Sequence, residues 1–189
     1  MGSTGVGLRE VAERSGFSKS SHFHHFSSKE ELYFEVLSRV HARIEKSLAP
    51  VFEAESDPAL QLRSWVEALI DALAEHQTTA RLLLRGLFED NDWVPERIPA
   101  RAQAESTLDS IPAKARGIVQ RGVVEGVYRN VSVPHTLQSL VGATVYHFAS
   151  GEIGEALLGG SIFSSEEVQR RKQEMTQLFD FGLARKSKS

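Results

Sequence analysis

The 189-residue chain is 41% hydrophobic, carries a formal charge of −3 and contains no cysteine. That length and content allow one sizeable domain or two small ones with packed cores, and the lack of thiols excludes disulfides, thiolate metal sites and a cysteine nucleophile. The acidic balance argues against non-specific nucleic-acid or membrane binding as the main role, and no apolar run approaches the roughly 18 residues of a bilayer span.

The charge is spread unevenly. Met1 to Pro50 hold seven Lys and Arg against six acidic residues, which leaves −4 for the remainder, and four of the seven histidines lie in that first part. Any DNA affinity therefore has to come from few, well-placed contacts, doubled in a dimer.

Within this part Leu8, Val11, Ala12 and Ser15 fall at i, i+3, i+4 and i+7, the spacing of one buried helical stripe. Gly16 then ends the helix, because a residue without Cβ takes positive φ at no steric cost, and Phe17 drops into the core. Ser18 caps a second helix, placing Lys19, Ser20 and Ser21 on its exposed first turn; such side chains bind phosphate oxygens and base edges. Ser28 and Glu31 have the spacing of a capping box, so a third helix starts there with Lys29 at its positive end, near where a phosphate could sit. Together these elements read as a helix-turn-helix with a support helix behind it.

The third helix continues through Tyr33, Val36, Leu37, Val40, Ile44 and Leu48, and Pro50 ends it within a turn. Asp57-Pro58 starts the next, with Asp as cap, and Leu62, Trp65, Val66, Leu69, Ile70 and Leu73 form its buried stripe. Ala80 to Phe88 is apolar most of the way round, which predicts a helix enclosed by others. Asn91 to Pro99 carries two prolines and reads as a loop. From Arg101 to Gly126 the pattern is helical, and Pro112 should kink or split it. Ser132 and Pro134 open another helix by cap and proline, running through Leu137, Leu140, Val141, Val145 and Phe148. A capping box at Ser164 to Glu167 opens the last, with Val168, Met175, Leu178, Phe179 and Leu183. No strand is expected, so the fold class is all-α: a helix-turn-helix domain over residues 1–50 followed by a helical ligand-binding and dimerisation domain over 51–189.

The residues Leu8, Arg9, Glu10, Val11, Ala12, Gly16, Ser18, Lys19, His25, Phe26, Ser28, Lys29, Glu30, Glu31 and Leu32 reproduce a dense pattern. Over Leu8 to Leu37 the segment resembles the DNA-binding domain of TetR-type transcriptional regulators. A second stretch, ending in Glu125, Gly126, Val127, Tyr128 and Arg129, is similar to the end of the long helix in that family's regulatory domain. The resemblance implies operator contacts by Lys19, Ser20, Ser21, Phe23, His24 and Lys29, and a small-molecule effector that changes the distance between two recognition helices. Members carry one more helix ahead of Leu8, which the chain beginning at Met1 is expected to lack. His22 stands where an apolar anchor is usual, Phe23 where a Tyr is usual, and Val6 where Ser or Thr often caps the first helix.

Candidate effector contacts are Trp65, Leu69, Leu84, Phe88, Trp93, Tyr146 and His147, because aromatics with polar tips line small-molecule sites; core packing is the alternative for each. Two last long helices with apolar faces imply a two-fold dimer through a four-helix bundle. His22, His24 and His25 lack the spacing of a metal site, and the glycines near Met1 lack the strand and Lys-Ser/Thr of a phosphate loop. No metal, cofactor or enzymatic activity is expected, no hydrolase elbow being present. The expected protein is a cytoplasmic, effector-responsive dimeric repressor of operator DNA. The alternatives are a regulator-like sensor with impaired DNA binding and a helical small-molecule carrier.

Overall fold

The computed structural model describes residues 28–53, 57–88 and 99–185, with Glu10, Arg14 and Phe26. The expected features at Leu8, Gly16, Ser18 and the loop after Asn91 lie outside these residues. Among the described residues the fold is seven helices: α1 (Lys29–Glu53), α2 (Pro58–Ala74), α3 (Thr79–Phe88), α4 (Pro99–Val124), α5 (Val133–Ala149), α6 (Glu152–Leu158) and α7 (Ser165–Leu183). One isolated antiparallel bridge, Tyr128 to Ala184, is the only extended pairing among them.

The helix starts follow their caps. Ser28 Oγ accepts from the Glu31 N–H at 3.1 Å, Asp57 Oδ1 from Ala59 and Leu60 at 2.7 and 3.3 Å, and Ser164 Oγ from Glu167 at 3.2 Å. Each bond satisfies a donor that the first helical turn cannot pair internally. Ser132 stands at the start of α5 as expected, but its side chain makes no capping bond; Pro134 in the first turn accounts for the boundary. Pro50 lies in the last turn of α1, which closes three residues later. The expected division at Pro112 does not occur, since α4 runs through it. The short α6, between glycines at 151 and 159, has no counterpart among the elements expected from sequence.

α2 is the central element: it packs on α1, α3, α4, α5 and α7. Leu62, Trp65, Val66, Leu69, Ile70 and Leu73 are all buried along it, and each such side chain contributes roughly 1.5–3 kcal/mol by leaving water. α1 lies mainly against α4 and α2, burying Phe34, Leu37, Val40, Ile44, Leu48 and Val51 at intervals of three and four. α3 is not enclosed all round: Leu83 is buried and Leu82 and Leu84 pack on the core, but Arg81 and Arg85 are exposed. The helix is amphipathic: its apolar residues face the core, while the exposed Arg85 lies over the Tyr33 ring of α1 and the exposed Arg81 reaches Gly151 after α5.

Polar links add direction to this packing. Gln61, buried in α2, donates from Nε2 to the Val51 carbonyl at 2.9 Å and accepts from Arg121 Nη2, joining α1, α2 and α4. Arg43 Nη2 donates to Thr79 Oγ1 at 2.7 Å, and Lys114 Nζ meets Glu45 Oε1 at 3.3 Å. The Tyr128 hydroxyl donates to the Pro58 carbonyl at 2.9 Å, closing the turn after α4 onto the start of α2.

Candidate effector and dimer site

Trp65 and Leu69 sit on the buried side of α2, and Leu84 packs against the same core from α3. Trp65 is fully enclosed, yet its indole Nε1 has no hydrogen-bond partner. Buried N–H groups are nearly always paired, so this donor stands out within the core. The side chains of Phe88 and Trp93 lie outside the described residues.

His147 is half-buried on α5, its ring edge-on to Phe148 at 4.8 Å, and its Nε2 also lacks a partner. Burial, and secondarily the charge of Arg171, hold its imidazole at about 4, so it is neutral near pH 7. Arg171 reaches across from α7 and donates from Nη2 to the Ala143 carbonyl at 2.7 Å, while its Nε is unpartnered. Burial lowers that guanidinium below its usual range without discharging it. Tyr146 is 63% exposed, on the outward side of α5 and away from the Trp65 core. The expected residues thus divide: Trp65, Leu69 and Leu84 share the interior, His147 borders α7, and Tyr146 faces out.

The outward side has its own pattern. On α7, Leu178 and Phe181 are 63% and 83% exposed, although Val168, Met175 and Leu183 of the same helix are buried. α5 presents His135, Ser139, Gly142 and Tyr146 outward, and the small residues at 139 and 142 permit close approach of another helix. Between the start of α5 and the end of α7 runs a groove of about 580 Å³, with Ala143, Leu178, Phe179 and Leu183 among its apolar walls. Of these groups, Arg171 and Phe181 were not anticipated from sequence. Phe181 follows Leu178 at i+3 on α7, which was the available signal.

Of the expected DNA contacts only Lys29 is described; it heads α1 half-buried beside Ser28, while Lys19, Ser20, Ser21, Phe23 and His24 lie outside the described residues. Among the described residues no three metal-ligating side chains converge, and no helix is long and apolar enough to cross a membrane.

Two family models match in series: bacterial regulatory proteins, tetR family, over residues 2–36, and tetracyclin repressor-like, C-terminal domain, over residues 58–178. The HTH-type transcriptional activator FasR of Mycolicibacterium smegmatis is 34% identical over 91 residues, 48% of this chain, and the match spans 39% of that relative's own length. The TetR family transcriptional regulator PfmR from Thermus thermophilus superimposes with a TM-score of 0.73 at 20% identity, covering 97% of this chain and 88% of that one. AibR, solved in complex with isovaleryl coenzyme A and operator DNA, does so at 0.72 and 15%, covering 92% and 86%. At such identities the two structures share the fold, whereas the C-terminal model covers more than half of the sequence. The chain belongs to the tetR family of bacterial regulatory proteins.

Proposed function

We propose that the chain is a cytoplasmic, homodimeric, effector-responsive repressor whose residues 1–50 hold operator DNA and whose residues 51–189 bind the effector and the second protomer. The observation that carries this reading is the order of the two matched segments, 2–36 and 58–178, with α1 as a single helix leading from one into the core of the other. The protein acts by binding, not catalysis.

In this reading Lys19, Ser20, Ser21, Phe23 and His24 supply the operator contacts and Lys29 a neighbouring phosphate contact, and two copies per dimer read two half-sites. The exposed apolar residues of α5 and α7 support pairing of these helices with their copies about a two-fold axis. The unpartnered Trp65 Nε1 and His147 Nε2 support an effector whose polar atoms reach both, with Leu69, Leu84, Phe88, Trp93 and Tyr146 around it or at its entry. The isovaleryl coenzyme A bound by AibR makes acyl-CoA thioesters the first effectors to try. Such a ligand shifts the dimer only if it binds one spacing better than the other.

The test is gel retardation of DNA upstream of the protein's own gene, across a salt series and with acyl-CoA added. A specific complex is expected, released by effector, and Lys19→Ala should lower the salt slope by about two, one phosphate contact per protomer. A second reading is favoured by His22, Phe23 and Val6, which depart from the family pattern at anchoring positions: a sensor that binds effector but not DNA. Effector binding without retardation at any salt concentration selects it and overturns the first.

A further inference from the structure

The turn after α4 and the end of α7 are stitched together. Tyr128 and Ala184 form the bridge, the Arg129 N–H donates to the Leu183 carbonyl at 2.9 Å, and Arg129 Nε to the Gly182 carbonyl at 2.7 Å. Gly126 has φ +75°, and a Cβ there would lie 2.9 Å from Arg185 Nη1, so the Arg185 guanidinium rests over the bare backbone of that turn. Two arginines from distant parts of the sequence thereby come to line the same cleft.

Between them opens a cleft of about 650 Å³, with Arg129, Arg185 and Asn130 on its polar side and Val123, Val124 and Tyr128 on its apolar side. Val124 is 80% exposed there. Among the described residues no carboxylate lines the cleft: Glu125 is not in its wall, and Asp180 is paired with Arg63. Two guanidiniums lining one cavity with no carboxylate in its wall repel each other, and a phosphate or carboxylate relieves that repulsion while accepting the N–H donors they do not spend on the fold.

We propose that this cleft binds a small anionic amphiphile, its phosphate or carboxylate held by Arg129, Arg185 and the Asn130 amide, its apolar part lying on Val123 and Val124. The site is separate from the interior around Trp65.

The experiment is isothermal titration of the full chain with decanoate, decyl phosphate and decanol. At least one anion should saturate one site per protomer, decanol should bind at least about tenfold more weakly, and added salt should weaken the anion. Arg129→Gln with Arg185→Gln should reduce affinity about tenfold or more, and Arg185→Gln alone, which breaks no hydrogen bond of the fold, severalfold. Trp65→Phe should leave the affinity unchanged, separating this cleft from the interior site. Preference for decanoate or for decyl phosphate identifies the head group. The proposal is overturned by no saturable binding of either anion, by decanol binding as tightly, by loss in Trp65→Phe, or by undiminished affinity in folded Arg185→Gln and in the double variant.

Discussion

The lower half of α1 and the outer side of α5 and α7 are finished to different degrees. Around α1, Gln61 satisfies both Val51 and Arg121, Arg43 bonds Thr79 through Nη2 and faces Glu75 at 3.5 Å although its Nε is buried without a hydrogen bond, and Lys114 meets Glu45. Across α5 and α7, His147 Nε2 and Arg171 Nε are buried without partners, and Leu178, Phe181 and Tyr146 stand in water. Bonds that cross from helix to helix tie the elements together, whereas apolar side chains left in water mark surface that something else completes. The second half of α1 is thus bonded across to its neighbours, and the open apolar surface lies on α5 and α7.

The sharpest way to break this contrast is to charge the unfinished face. Replacing Leu178 and Phe181 together by Glu forfeits the burial of two large apolar side chains, roughly 3–6 kcal/mol of association at 1.5–3 each, while the monomer loses almost nothing. Sedimentation should show monomers that keep their helical circular dichroism, with a melting temperature lowered only by the lost association; a persistent dimer would place the two-fold contact elsewhere.

On the finished side the expected effects fall on folding instead. A Cβ at Gly122 would lie 2.2 Å from the Tyr128 ring, which cannot retreat without giving up its bond to the Pro58 carbonyl. Gly122→Ala should therefore cost about 1–3 kcal/mol by overpacking, read as a lower midpoint in urea. Tyr128→Phe should lose the same hydrogen bond with the ring in place, and so cost less. Equal losses would mean that ring position is not what Gly122 protects.

How much of this was legible beforehand depended on the range of each interaction. Asp57, Ser164 and Ser28 announced helix starts because a cap bond spans two or three residues, and the stripes of α1 and α2 appeared because burial repeats with the helical period. α6 escaped because seven residues are too few for a period to show. Pro112 reads as a break in sequence, yet one missing N–H in a long helix is outweighed by the packing of α4 on α1 and α2. The interior triad of candidate residues was half-visible: aromatic type pointed to Trp65 and Tyr146 equally, and only the fold sends one inward and the other out. Gln61 with Arg121, and Arg129 with Arg185, join positions remote in sequence, where no local pattern speaks.

A smaller effect sharpens the comparison within the cross-bonded region. Gln61→Leu keeps volume and apolar burial but leaves the Val51 carbonyl without its side-chain donor and Arg121 without its acceptor. Arg121 is exposed and turns to water, so the loss is set by the buried carbonyl, about 1 kcal/mol, at the low end for such groups. Combined with Gly122→Ala the losses should exceed their sum or fall short of it, since both act at the junction of α2 and α4; strict additivity would show that the junction is not one cooperative unit.

The smallest effect belongs to His147 and is confined to acid. Its imidazole, normally near 6.5, is held at about 4 by burial and then by Arg171, so the folded chain refuses a proton that the unfolded chain accepts. The stabilisation is complete above pH 6.5 and drains away as pH falls towards 4. Because the ring is half-exposed and screened, it amounts to on the order of 1 kcal/mol or less. Urea midpoints of His147→Gln should consequently be flatter than wild type between pH 6.5 and 4 and parallel to it above. Arg171→Gln should move the histidine's NMR titration upward from about 4 but not back to 6.5, because burial is the larger cause. A wild-type midpoint at or above 6.5 would mean that α5 and α7 leave this ring open to water, and the unfinished face would then begin one turn deeper than the geometry places it.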